Sequence, residues 1–469
     1  MSKKSELIKN TFIILLGKFC TRFLSFFLLP LYTSVLSSKQ YGVVDLITTY
    51  ITLLVPIISL QLEMAVFREI IDYRKNVKKL KEIISSSLFT IFIQFLICLF
   101  LYFIIGLFIN IPYKSYIVFS VVCSLLSNLL LQVARGKGDN VGYSIASLIA
   151  GGMTIILNIL FLLIFRMKIE GMLLASALGN FFAMMYLFIR CRIWKYVNYK
   201  YYSKDLSFKL LKYSMPLVPN GLIWWIINVS DRTLISIFLG TSSNGIYAVS
   251  NKFSLVLIQI YNIFNLSWTE SASLHINDND KNEFFSKTFN EIIKIFFSMC
   301  ILIVGIIPFV FKFLVNKNFS DAYYYVPSLL VGTMFNIIVT FIGGIYVAKK
   351  LTKEIAITSF WSGIINILFN VILIKKIGIY AAAISTIISF IVMSIYRYVD
   401  IQKYVKLKFN YKQIFILVII FIIECIVYYL RNRFLMILVL VIVSSIIIYL
   451  NVDYIKIIFN MINHIKKKK

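Results

Sequence analysis

Runs of about twenty apolar residues, set apart by short polar stretches, recur from one end of the chain to the other. A helix of that length matches the hydrocarbon thickness of a bilayer and satisfies its own backbone hydrogen bonds there. Composition agrees: 60% of the 469 residues are hydrophobic, 14% are charged, and the mean hydropathy is +0.87. The sequence therefore reads as an all-α polytopic membrane protein. Fourteen spans are expected, near 11–35, 43–67, 83–106, 115–134, 142–165, 170–189, 213–239, 245–267, 288–311, 326–347, 355–374, 378–396, 413–430 and 434–451.

A net charge of +28 would suit a nucleic-acid binder, but the cations sort by loop. Loops on the side of the termini hold 33 Lys and Arg, the opposite loops hold 10, and five lie within spans. The positive-inside rule then places both termini in the cytoplasm, with lipid rather than nucleic acid as the surrounding partner. The connections 190–212 and 268–287 are too short to hold a folded catalytic domain, so no enzyme is expected. The six cysteines form no C-x-x-C pair, and His275 and His464 lie outside the spans, so neither a metal site nor a cofactor is expected. The first apolar run follows Ser2-Lys3-Lys4 with no small-residue cleavage site after it, and is expected to stay as span one. The tail 452–469 carries Ile455, Ile458, Ile462 and Ile465 at helical spacing and ends in four lysines, as for a basic amphipathic segment on the cytoplasmic leaflet.

Weak matches in constant order reveal an internal repeat. Leu36 to Gly42 (LSSKQYG) matches Leu239 to Gly245 (LGTSSNG), and Val133-Ala134-Arg135 matches Val347-Ala348-Lys349. Asn158 corresponds to Asn370, and Gly171-x-x-x-Ala175 to Gly378-x-x-x-Ala382. Two six-helix lobes are expected, 1–189 and 213–396, inserted in the same orientation. A basic cytoplasmic connection, 190–212, would join them. A second, 397–412, would lead to two added helices within 413–451.

At these residues the chain resembles the Wzx-like oligosaccharide-lipid flippases of the multidrug/oligosaccharidyl-lipid/polysaccharide superfamily. The resemblance is carried by Leu29-Pro30-Leu31-Tyr32 with Tyr41-Gly42; Val133-Ala134-Arg135-Gly136; Tyr213 with Pro216 and Pro219; Asp231-Arg232 before Phe238-Leu239-Gly240; Gly245-Ile246-Tyr247 with Lys252; and Trp268. It implies two lobes in pseudo-two-fold arrangement around a central cavity. It also implies translocation of an undecaprenyl-pyrophosphate-linked repeat unit to the outer leaflet by alternating access, for O-antigen, capsule or exopolysaccharide. A polysaccharide polymerase and a chain-length regulator are the implied partners.

A carrier of a diphosphate needs cations inside the membrane, where each charge costs about 3 kcal/mol and is kept for a purpose. Lys18 and Arg22 share a helix face in span one, and Arg232 and Lys252 occupy early spans of the second lobe. These four form the expected substrate-binding set, with arginine suited to bidentate phosphate contact. Glu63 and Asp231 are the acids placed to pair with a cation or to couple an ion. Trp224, Trp225, Tyr261 and Trp268 suit stacking on sugars or an interfacial belt, and the span asparagines, Asn158 and Asn370 among them, suit interhelical bonding.

Three other functions stay open. A peptidoglycan-precursor flippase carries a diphosphate too. A multidrug or cation antiporter of the same superfamily would need acids rather than the cations of spans one and seven. A membrane glycan polymerase would need a larger outer loop than any present.

Overall fold

The computed structural model describes residues 26–108 and 112–452, without the side chains at 220, 223, 224, 226–228 and 266. Lys18, Arg22 and the tail from 453 onward lie outside the described residues. Contacts divide the chain into two compact units, Met1–Gly245 and Ile246–Lys469.

In the first unit the helices are α1 (Leu29–Val35), α2 (Ser38–Ser59), α3 (Leu62–Asp72), α4 (Val77–Phe108), α5 (Lys114–Gly136), α6 (Asn140–Ile159), α7 (Lys168–Arg190), α8 (Lys204–Ser214) and α9 (Leu217–Leu239). A π-helical stretch, Leu160–Ile164, continues α6. The helix α10 (Thr241–His275) places its first turn in this unit and the rest in the second. The second unit continues with α11 (Lys281–Leu314), α12 (Ala322–Ala348), α13 (Thr352–Ile377), α14 (Tyr380–Ile401), α15 (Tyr411–Leu430) and α16 (Arg433–Leu450). Among the described residues, eleven helices are long and apolar enough to cross a membrane. The chain is an all-α, multi-pass membrane protein.

Polar residues set the helix boundaries. Ser37 and Gln40 form a reciprocal capping box at the start of α2: the Gln40 N–H donates to Ser37 Oγ at 3.2 Å and the Ser37 N–H to Gln40 Oε1 at 3.0 Å. Asn410 and Asn432 cap α15 and α16 with their side chains alone, each accepting a backbone N–H from the first turn. The expected single span 43–67 is instead two helices. Leu60 and Gln61, both left-handed with φ of 49° and 53°, separate α2 from α3. Pro56 contributes to the break, because it cannot donate to the carbonyl one turn back, and Gln61 N–H closes the end on the Pro56 carbonyl at 3.2 Å.

One apolar core, including Ile47, Ile51, Leu62, Val66, Leu129, Val133, Leu173 and Leu187, joins α2, α3, α5 and α7. Within the first unit α7 packs on α5 and α6; within the second, α14 packs on α12 and α13. These helices are spans four to six and ten to twelve of the expected repeat. Small residues allow the close approach. A Cβ at Gly179 of α7 would overlap Thr154 and the Ala150 carbonyl of α6.

Candidate functional site

The polar centre of the first unit lies between α2 and α9. Asp45 and Thr49 are one turn apart on α2, and Trp225 and Arg232 are two turns apart on α9, so each pair shares a face. Arg232 Nη1 donates to Thr49 Oγ1 at 2.9 Å, and its Nε lies 3.3 Å from Asp45 Oδ2. Trp225 Nε1 donates to the Thr49 carbonyl at 3.3 Å, and its ring stacks on Tyr50, whose hydroxyl donates to Thr233 Oγ1 at 3.2 Å. Asp45 also receives the Asn244 amide at 3.4 Å. The two charged side chains are 13% and 18% exposed, so water reaches the pair while most of it is enclosed by protein. A mostly enclosed guanidinium held by one acid and one hydroxyl retains donors that an anion can take up.

Just beyond this centre the two repeat-related segments meet. Asn244 Nδ2 donates to the Gly42 carbonyl at 2.9 Å, and the hydroxyls of Ser38 and Ser242 are 2.6 Å apart. A Cβ on Gly42 would overlap the Thr241 carbonyl, and one on Gly245 would overlap the Ser38 carbonyl. In the repeat Gly42 corresponds to Gly245 and Ser38 to Thr241, so the crossing is reciprocal. Glycine is required on both sides because backbone meets backbone there.

The other residues anticipated from the sequence are placed as follows. Asp231 is buried at 2% exposure beside Arg232. Lys252 is half-buried on α10 in the second unit. Glu63 lies in the first turn of α3 with Ser59 in hydrogen-bonding reach; nearby Arg68 pairs with Asp72 at 2.7 Å. Asn158 bonds the Thr154 carbonyl of its own helix at 2.7 Å, and both it and Asn370 are buried.

Two aromatics are withdrawn from any sugar contact. Trp268 is 2% exposed, stacks on Phe341 with centroids 4.0 Å apart, and donates its N–H to the Phe341 carbonyl at 2.9 Å. Tyr261 is fully buried. Both belong to an aromatic core in the second unit, because α10 turns that face onto α11 and α12.

Sequence reasoning passed over Asp45, although an acid four residues from a threonine in an apolar span is the signal that would have found it. It also counted Arg397 as a loop cation. The structure buries Arg397 at 1% exposure, where its Nε and Nη2 donate to Thr358 Oγ1 at 3.0 and 2.9 Å and its Nη1 to the Val339 carbonyl at 3.0 Å. The stretch 397–412 therefore carries four loop cations rather than five.

The geometry can be set against known proteins. A family model described as polysaccharide biosynthesis protein matches residues 7–268. Lipid II flippase MurJ, in an inward closed conformation, is similar over 92% of this chain and 98% of its own, at 17% identity and a TM-score of 0.68. A multidrug resistance MATE family transporter of the MOP superfamily in an inward-facing conformation matches over 83% and 98%, at 12% identity and 0.67. An outward-facing MATE structure matches over 84% and 93%, at 14% identity and 0.58. No curated protein sequence matches the chain. At such identities the structural likeness carries the fold, that of the superfamily expected from the motifs, while the family model covers more than half of the chain. The chain belongs to the polysaccharide biosynthesis protein family.

Proposed function

We propose that this protein is a flippase that moves an undecaprenyl-pyrophosphate-linked oligosaccharide repeat unit from the inner to the outer leaflet by alternating access. The observation that carries the reading is Arg232, kept on an apolar helix with an acid and a hydroxyl around it rather than replaced by an apolar residue. A cationic drug gains nothing from an arginine, whereas a diphosphate does. At an effective dielectric near 20, a phosphate about 4 Å away gains about 4 kcal/mol before desolvation. The diphosphate would exchange with Asp45 as the partner of Arg232, and Lys18, Arg22 and Lys252 are assigned to the same substrate. Glu63 and Asp231 remain candidates for pairing or ion coupling.

The reading places both termini in the cytoplasm and the protein in the cell membrane, supported by the loop charges. It assigns the crossing of 36–42 with 239–245 to the outer side, as a contact that must open for release. A polymerase and a chain-length regulator would act on the delivered unit. The test is reconstitution in proteoliposomes with a fluorescent diphosphate-linked oligosaccharide lipid. Leaflet exchange lost in Arg232→Gln supports the reading. Export of a cationic dye with no exchange of the lipid would replace it with drug efflux.

A further inference from the structure

Glu424 lies in the middle of α15, within a span, and is 3% exposed. Among the described residues its Oε2 is buried with no hydrogen-bond partner, and no salt bridge joins it to a cation. The carboxyl fits against α11 only because Gly305 has no side chain: a Cβ there would overlap Glu424 Oε1 and crowd Leu440 of α16. Three residues further along α11 comes Pro308. Proline has no N–H, so the carbonyl one turn earlier, that of Val304, lacks its helical donor. A carboxyl group whose Oε2 has no partner among the described residues therefore lies beside Gly305, immediately after a carbonyl that lacks its helical donor.

The charges around it do not alter this. On α11 the nearest are Lys312, seven residues or about 10 Å along the axis from Gly305, and Lys294, about 16 Å the other way. Arg433 on α16 is also seven residues, about 10 Å, from Leu440; on α15 the cap residue Arg431 is seven residues, about 10 Å, from Glu424 and lies over the rings of Tyr323 and Tyr324, and Lys412 is about 18 Å away. The titratable neighbours are thiols and phenols: Cys425 and Cys300, then Tyr428 one turn on, whose hydroxyl bonds the Tyr323 carbonyl on α12 at 2.7 Å.

We infer that Glu424 is an intramembrane proton-binding site, in which the neutral acid donates its O–H to α11 at the carbonyl freed by Pro308. The proton is the ligand, and it docks the α15–α16 hairpin on α11. Without it a carboxylate would face apolar helix walls with neither donor nor cation. Removing the proton therefore loosens this hairpin.

Infrared difference spectra of the purified protein in lipid test the assignment. Wild type at neutral pH should show the C=O stretch of a protonated carboxylic acid that is missing in Glu424→Gln, and Pro308→Ala, which restores the helical N–H, should move that band. Thermal midpoints give the second reading: Glu424→Gln, whose amide is also a donor, should keep the wild-type value, while Glu424→Leu lowers it, and lowers it less in the Pro308→Ala background. A spectrum unchanged by Glu424→Gln, or a Glu424→Leu shift of the same size in both backgrounds, overturns the inference.

Discussion

Removing one member of the Asp45–Arg232 pair leaves the other charge mostly enclosed by protein, and the cost can be worked from the contact. With Nε and Oδ2 at 3.3 Å, an effective dielectric of 20 gives about 5 kcal/mol of attraction. Desolvation of two side chains that are 13% and 18% exposed offsets part of that, leaving a coupling of about 1–3 kcal/mol. The cycle uses Asp45→Asn, Arg232→Gln and the double variant, followed by thermal unfolding of the detergent-purified protein. Each single variant should be destabilised by about 2 kcal/mol, and the double variant should recover the coupling. Export separates stability from function. The double variant regains stability yet exports no polysaccharide, because the arginine is gone, whereas Asp45→Asn exports. Additivity within about 0.5 kcal/mol would refute the pairing argument, and export by the double variant would refute the role given to Arg232.

Three further outcomes follow from contacts described above. Gly42→Ala or Gly245→Ala should cost about 2 kcal/mol or more and lower the yield of monodisperse protein, since the new Cβ meets backbone; wild-type yield for both would contradict the crossing. Arg397→Ala should cost about 1–3 kcal/mol by taking buried donors from the Thr358 and Ser359 hydroxyls and one of the two donors of Val339 O, with Arg397→Lys in between, read as thermal midpoints. Arg190 grips Asp139 bidentately at 2.6 and 3.0 Å and holds its carboxyl below the usual range, so its stabilisation is present above about pH 4 and is lost as pH falls through the lowered value. Asp139→Asn should flatten that acid limb by about 1 kcal/mol at most, the pair being partly exposed, and an unchanged limb would contradict it.

Much of the fold was legible because a bilayer imposes one length and one backbone solution on each span, and apolar runs record both. The segments LSSKQYG and LGTSSNG, matched in the sequence, are the two that cross at Gly42 and Gly245. What the sequence hid were choices made by packing. A span read as continuous breaks at Leu60 and Gln61, whose left-handed backbone no residue type there announces. Arg397 looked like a loop cation since it ends an apolar run, yet carbonyls and hydroxyls from α12 and α13 draw it inside. Trp268 and Tyr261 suit sugar stacking or an interfacial belt by residue type, while helix facing makes them core. Asp45 escaped because its partner is distant in sequence, and only the approach of α9 to α2 gives it a role.

The central claim is most directly tested by the leaflet distribution of diphosphate-linked oligosaccharide lipid in cells lacking this gene. The account predicts accumulation on the cytoplasmic leaflet with loss of surface polysaccharide, restored by the wild-type chain and not by Arg232→Gln. An unchanged lipid pool with full surface polysaccharide would contradict it.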